Sequence, residues 1–267
     1  MSEGLLDAVV AAARRAADER ERLVPMGQLQ VTLTDRPRAV VGFRASLSKP
    51  GIRIIAECKR RSPSRGVLRP DYDPVAIARA YEAAGAAAVS VLTEPTFFDG
   101  ALDHLRRVRA AVTLPVLRKD FIVTPYQVVE AAAAGADAVL LIAASLDDRQ
   151  LGALAAIARD CGLDTLVEVH DRGELDRAVA AGADVIGVNS RNLRTLAVSQ
   201  DVLDELGPSI PPGVVAVAES GLRTPGDLQR LRAVRYDAFL IGERFMADPH
   251  PGAALAELKA LAEQAPA

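Results

Sequence analysis

Five apolar runs in this chain end on side chains able to move protons. They read Ile54-Ile55-Ala56-Glu57-Cys58-Lys59, Val116-Leu117-Arg118-Lys119, Leu166-Val167-Glu168, Ile186-Gly187-Val188-Asn189 and Val215-Ala216-Val217-Ala218-Glu219-Ser220. Short β-rich runs that stop at Glu, Lys, Asn or Ser describe buried strands with chemistry at their carboxyl ends. In a barrel of parallel strands, that end is where active sites are built. If the runs close into one barrel, Glu57, Lys59, Lys119, Glu168, Asn189 and Glu219 converge on one mouth. Carboxylates and lysines gathered there push each other's pKa values apart, so an acid and a base can coexist at neutral pH. Alternation puts Glu57 and Lys59 on the same inward face. Lys119 follows an apolar strand, where desolvation lowers a lysine's pKa and suits it to general-acid or Schiff-base work. The competing reading is a salt bridge to Asp120 or to a carboxylate of the mouth.

Two further segments suit an anion. Ser220-Gly221-Leu222 and Ile241-Gly242-Glu243 close the last two predicted strands, and glycines there let backbone amides approach a phosphate. The segment Arg60-Arg61-Ser62-Pro63-Ser64-Arg65-Gly66 is a basic loop after the first strand. It opens the Arg60–Asp73 loop, which reads as a mobile lid over a phosphate or carboxylate, with little apolar surface to pin it down. A solvated basic loop or an Arg/Ser nucleic-acid patch is the alternative, and the lack of interleaved aromatics weakens the latter. His104, His170 and His250 match no zinc spacing and read as surface or capping residues.

The elements that must position these groups repeat. Glu82-Ala83-Ala84-Gly85-Ala86, Ala133-Ala134-Gly135-Ala136-Asp137 and Ala180-Ala181-Gly182-Ala183-Asp184 each precede an apolar run, and Ala233-Val234-Arg235-Tyr236-Asp237 is a degenerate fourth copy. Each is a helix end, a Gly stop and a strand start. The spacing of about 50 residues marks every second strand of a βα series. Runs beginning near Ile52, Leu114, Thr165 and Val214 fill the gaps. Eight strands alternating with helices give an α/β fold, a (β/α)8 TIM barrel, with a doubly wound open sheet as the alternative. Residues 1–50 precede the first strand and predict an N-terminal helical extension packed on the barrel. Helices are expected over 4–24 and 39–47, so the chain 1–267 reads as a single barrel domain.

Composition bounds the partners. The chain has 267 residues, half of them apolar and a quarter charged, with a net charge of −3. That balance argues against nucleic acid, which usually meets a basic surface. No apolar stretch reaches the ~18 residues of a membrane span, and no signal peptide is seen. A cytoplasmic protein acting on a small molecule, monomeric or weakly homo-oligomeric, is expected. Cys58 and Cys161 suggest no disulfide framework. Cys58 alternates with Glu57 and Lys59 and should face the helix layer.

The motifs Ile-Ala-Glu-x-Lys-Arg-x-Ser-Pro-Ser-x-Gly from Ile55, Leu-Arg-Lys-Asp-Phe-Ile from Leu117, Leu-Val-Glu-Val-His from Leu166, Gly-Val-Asn-Ser-Arg-Asn-Leu from Gly187 and Ala-Glu-Ser-Gly-Leu from Ala218 resemble indole-3-glycerol phosphate synthase. The resemblance implies ring closure of 1-(2-carboxyphenylamino)-1-deoxyribulose 5-phosphate to indole-3-glycerol phosphate, carbon dioxide and water, in tryptophan biosynthesis, with no metal or organic cofactor. It implies that Lys119 protonates the ketose oxygen. Glu168, with Lys59 and Glu57, would handle the later proton transfers. Asn189 would orient substrate hydroxyls and the acid–base groups, and Glu219 and Ser220 would complete the catalytic set. Ser62 and Arg191 would bind substrate, Phe98 and Phe121 would wall the anthranilate ring, and Gly221, Gly242 and the Glu243 backbone would hold the phosphate. Arg65 departs from the usual loop residue. Arg244 and Phe245 stand where smaller residues are common, which bears on the width of the phosphate rim. Two rivals stay open, a Schiff-base aldolase with Lys119 as nucleophile and a non-catalytic barrel.

Overall fold

The computed structural model describes residues 4–33, 39, 41–193 and 195–264. The strands are β1 (Arg53–Cys58), a short hairpin of β2 (Arg61–Ser62) and β3 (Gly66–Val67), then β4 (Ala88–Leu92), β5 (Val116–Lys119), β6 (Ala138–Ile142), β7 (Asp164–Val169), β8 (Val185–Asn189), β9 (Val215–Glu219) and β10 (Ala238–Ile241). All but the hairpin pair in parallel, each with the next along the chain, and β10 closes on β1. This is the eight-stranded (β/α)8 barrel expected from the sequence. The open sheet is excluded by the β1–β10 pairing.

The repeated helix–Gly–strand segments work as read. Gly85, Gly135 and Gly182 all have positive φ, at 78°, 90° and 74°. Each follows the end of a helix and turns the chain into β4, β6 or β8, a left-handed position that a Cβ disfavours.

Side-chain alternation sorts the strands into two cores. Ile55, Leu117, Leu140, Leu166, Val217 and Leu240 fill the barrel interior. Ile54, Ala56, Cys58, Val139, Val167 and Ala218 pack against the helices. Cys58 therefore faces the helix layer as expected, and burial drives its thiol well above the ordinary range.

The N-terminal extension forms α1 (Leu5–Leu23), α2 (Met26–Val31) and α3 (Phe43–Leu47). The helix expected over 39–47 is shorter than predicted. Ala39 is not helical, Gly42 is the extended N-cap residue, and the helix starts at Phe43. Residues 34–38 and 40 lie outside the described set. Phe43 and Leu47 are fully buried among the inward residues of the barrel and plug its floor. The extension is also tied to the barrel by polar contacts: Arg20 donates to both oxygens of Glu130, at 2.6 and 3.0 Å.

Candidate active site

At the carboxyl end of the barrel the inward positions change from aliphatic to ionisable. Strand register sets them at one level. Asn189 pairs with Glu219, Ile142 with Glu168, and Leu92 with Lys119. The result is a cavity of about 560 Å³ lined by Glu57, Lys59, Lys119, Glu168, Asn189, Glu219 and Ser220. Ser62, Phe98, Phe121, Arg191, Gly221, Gly242 and Glu243 line it too. Every site residue named from the sequence thus borders one cavity, of a size that suits a small-molecule substrate.

Lys119 is the hub. Its Nζ lies 3.0 Å from Glu168 Oε2 and 3.6 Å from Glu219 Oε2. Asp120 is not its partner. Asp120 accepts from Arg118 and from Thr93 Oγ1 behind the strand, because residues adjacent on a strand point to opposite faces. The pKa of Lys119 also differs from the sequence expectation. Burial lowers it, but Glu168, Glu219 and Glu57 together outweigh burial and raise it above its ordinary value. The ammonium is therefore charged in the resting site.

The two carboxyls beside Lys119 are driven apart. Burial works against the Glu168 carboxylate, but Lys119 and His170 reverse that and hold it well below the usual carboxylate range. Burial, reinforced by Glu168 and Glu57 and opposed by Lys119, pushes Glu219 up to about 8. The two carboxyls that share this lysine are thus shifted in opposite directions, the arrangement that separates base from acid. Glu219 Oε1 is buried with no hydrogen-bond partner.

Glu57 and Lys59 form an ion pair at the rim of β1. Two glycines make room for these carboxyls. A Cβ on Gly187 would lie 2.1 Å from Glu219 Oε1, and one on Gly242 would lie 2.3 Å from Glu57 Oε1. Gly242 thus has a packing role beyond the anion site or tight turn expected from the sequence.

The rest of the mouth divides into an aromatic and a polar side. Phe98 and Phe121 stand with ring centroids 6.5 Å apart. Phe98 is set by a one-turn helix whose N-terminal amides donate to Glu94. Across the cavity, Ser220 and Gly221 both have positive φ, 67° and 70°. Ser220 is not a glycine, so its left-handed backbone is a strained position at the site. Asn189 Oδ1 accepts from the Arg191 amide at 3.0 Å, which fixes the side chain. Arg191, Arg65 and Arg223 approach the Glu243 carboxylate at 3.6–3.7 Å. Phe245 does not narrow the rim: it is fully buried and packs on Tyr81 at 5.8 Å. Arg244 lines the cavity.

The basic loop is better pinned than its composition predicts. Its stem is the β2–β3 hairpin. Arg60 and Arg61 pair with Asp99, and Arg69 donates to the carbonyls of Asp248 and Pro249. The tip, Pro63 to Arg65, is exposed at every residue, and Arg61 and Val67 on the hairpin are exposed as well. Ser62 is buried, and its Oγ has no hydrogen-bond partner. One charged residue at the site was misread from sequence. His170 is neither surface nor cap: it is largely buried, with Nε2 3.4 Å from Glu168 Oε1 and Nδ1 3.0 Å from Glu174 Oε2. Its signal in the sequence was its place two residues beyond Glu168, with a glutamate four residues further on.

Comparison with known proteins decides the family. The family model described as indole-3-glycerol phosphate synthase matches residues 6–258. The chain belongs to the indole-3-glycerol phosphate synthase family. A relative of that name from Sulfurimonas denitrificans is 45% identical over 96% of this chain and 98% of its own length. One from a Nocardioides species is 50% identical over 94% of this chain and 96% of its own. Among solved structures, KGPDC from Streptococcus mutans superposes with a TM-score of 0.63 over 80% of this chain and 99% of that one. Its 12% identity carries the fold alone. No helix among the described residues is long and apolar enough to cross a membrane.

Proposed function

We propose that this mouth closes the indole ring of indole-3-glycerol phosphate from the carboxyphenylamino deoxyribulose phosphate named above. The observation that carries the reading is Lys119 Nζ placed 3.0 Å from Glu168 Oε2 and 3.6 Å from Glu219 Oε2 in the cavity at the barrel mouth.

The chemistry needs such a set. The aryl carbon bearing the carboxylate bonds to the ketose carbonyl carbon, and the carbonyl oxygen takes a proton from Lys119. A developing alkoxide is basic enough to accept it from an ammonium whose pKa is raised. The C–CO2 bond then breaks and its electron pair restores the aromatic ring. The new hydroxyl leaves as water with a proton from an acid of the site, for which Glu219 and the Lys59–Glu57 pair are placed. Glu168 takes the proton from the ring CH2, completing the indole. The sum consumes one proton per turnover, which returns to Lys119 from solvent.

Binding follows from the two sides of the cavity. The amides at Gly221, Gly242 and Glu243 hold the phosphate, Phe98 and Phe121 wall the aryl ring, and Arg191 and Ser62 add polar anchors. Anchors at both ends impose the bent geometry that carbon–carbon closure requires. The charged Lys119 speaks against the Schiff-base rival, because imine formation needs a neutral amine.

The test is incubation with the carboxyphenylamino ribulose phosphate while following indole fluorescence, against a background free of Trp. Indole emission rising with substrate is expected. A covalent adduct trapped on Lys119 by borohydride, with no indole formed, would sink the reading in favour of the aldolase.

A further inference from the structure

The ring of His170 lies outside the cavity lining and directly behind Glu168. Glu168 Oε2 faces Lys119 at 3.0 Å, and Oε1 faces His170 Nε2 at 3.4 Å. Each carboxylate oxygen therefore has one nitrogen partner. The far side of the ring is gripped by Glu174, which accepts from Nδ1 at 3.0 Å and from the His170 amide at 2.8 Å. A capping role does not account for this. The helix Arg172–Ala180 is already capped by Asp171, which accepts from the Glu174 amide at 2.9 Å. Nε2 itself is buried, makes no hydrogen bond among the described residues, and faces the Glu168 carboxylate.

We propose that His170 is a positioning residue for the reaction: an imidazolium held by Glu174 that orients Glu168 and keeps it ionised between turnovers. The proposal rests on the reading of Glu168 as the base. The charged groups facing the ring are Glu168, on the preceding strand β7, and Glu174, on the following helix. Lys119 and Glu219, from β5 and β9, act on it through Glu168. Burial alone depresses the imidazole, but the two carboxylates outweigh it and push it up to about 10. The device has a chemical use. Burial disfavours the charge on Glu168, and Lys119 must give up a proton during the cycle. A second cation that does not take part keeps Glu168 a carboxylate while Lys119 is neutral.

Three variants and one spectrum test it. Replacing His170 with Asn should lower kcat about tenfold, leave KM within about twofold, and move the acidic limb of the kcat profile upward by about one pH unit. Glu174→Gln should give a smaller shift in the same direction. Against the residual turnover of Glu168→Gln, the His170→Asn change should cost nothing further, because the residue it serves is gone. Ring-nitrogen NMR of labelled histidine in the unmodified protein should show His170 doubly protonated through pH 8, and titrating lower in Glu168→Gln. An unmoved acidic limb, a full additional loss in the Glu168→Gln background, or a neutral His170 ring at pH 7 each overturns the proposal. The NMR arm needs no folded His170 variant. If Glu168→Gln keeps normal turnover, the reading of the mouth itself fails. If it is inactive while His170→Asn is fully active, only this inference fails.

Discussion

Glu219 occupies the space that a side chain on Gly187 would fill. The two residues sit on neighbouring strands, and a Cβ at Gly187 would fall 2.1 Å from Glu219 Oε1. Contacts under 3 Å force something to move, and Glu219 is held between Gly187 and the Lys119 ammonium. Gly187→Ala should therefore displace Glu219 rather than the strand. Turnover should fall by about 10- to 100-fold, the order of a lost or misplaced proton-transfer group. Circular dichroism should stay unchanged. Normal kcat in a folded Gly187→Ala protein would mean that the position of Glu219 is immaterial.

Lys119 carries the largest single effect. Lys119→Ala should lower kcat by about 10²–10⁴-fold. Product affinity should persist, because the phosphate side of the cavity is built from other strands and the Phe98 and Phe121 rings remain in place. Single-turnover kinetics with calorimetry on the product separates the two effects, and near-normal turnover is the result that defeats the assignment.

The raised pKa of Glu219 sets the alkaline behaviour. If its protonated form is the working one, kcat should decline as pH rises through about 8. Stability should move in the same direction. A carboxyl whose folded pKa exceeds its unfolded value contributes fully below the unfolded value and loses that contribution as pH rises through the folded one. Glu168 is depressed, so its contribution is present above the ordinary carboxylate range and is lost as pH falls below it. Thermal melts from pH 5 to 9 should show a high-pH loss that shrinks in Glu219→Gln. An identical loss in that variant would place its origin elsewhere.

The barrel and most of its mouth were legible because two periodicities are written plainly. Alternation along β1, β5, β7 and β9 puts Glu57, Lys119, Glu168 and Glu219 inward, and the repeated Gly stops fix the number of strands. Partner choice was not legible. Whether Lys119 meets Asp120 or Glu168 depends on which face each residue takes and on the lateral register between strands. The position of His170 needed the turn into the next helix, which brings Glu174 back over the ring. The direction of the Lys119 shift could not be read from burial alone, since three carboxylates from other strands reverse it.

Phe43 tests the floor separately from the chemistry. Its ring is fully buried under the inward layer of the barrel, far along the strands from the mouth. Phe43→Ala should cost about 3–5 kcal/mol, the usual range for emptying a buried aromatic site. It should leave kcat nearly unchanged at temperatures where the variant is folded. Denaturant unfolding measures the first and steady-state kinetics the second. A large kcat loss at full folding would show that the floor and the mouth are coupled.

The basic loop offers a prediction in which root and tip behave differently. Its root is held by the β2–β3 pairing and by the Arg60, Arg61 and Arg69 contacts. Its tip, Pro63 to Arg65, is exposed, and Arg65 approaches Glu243 at 3.6 Å. Glu243 opens the helical turn after Gly242, where the phosphate is proposed to sit, so a bound phosphate would offer Arg65 a second and stronger anion. The buried, unbonded Ser62 hydroxyl would gain an acceptor in the same step. We expect indole-3-glycerol phosphate to slow hydrogen exchange at the tip amides, Ser64 and Arg65, while the root amides change little. Closure of this kind shields proton transfers from bulk water and couples affinity to turnover. Deleting Ser64 and Arg65, which leaves β2 and β3 in place, should therefore raise KM and lower kcat together in a protein that still folds. Equal protection of the tip with and without product would show that the loop is a fixed basic rim and that no closure accompanies binding.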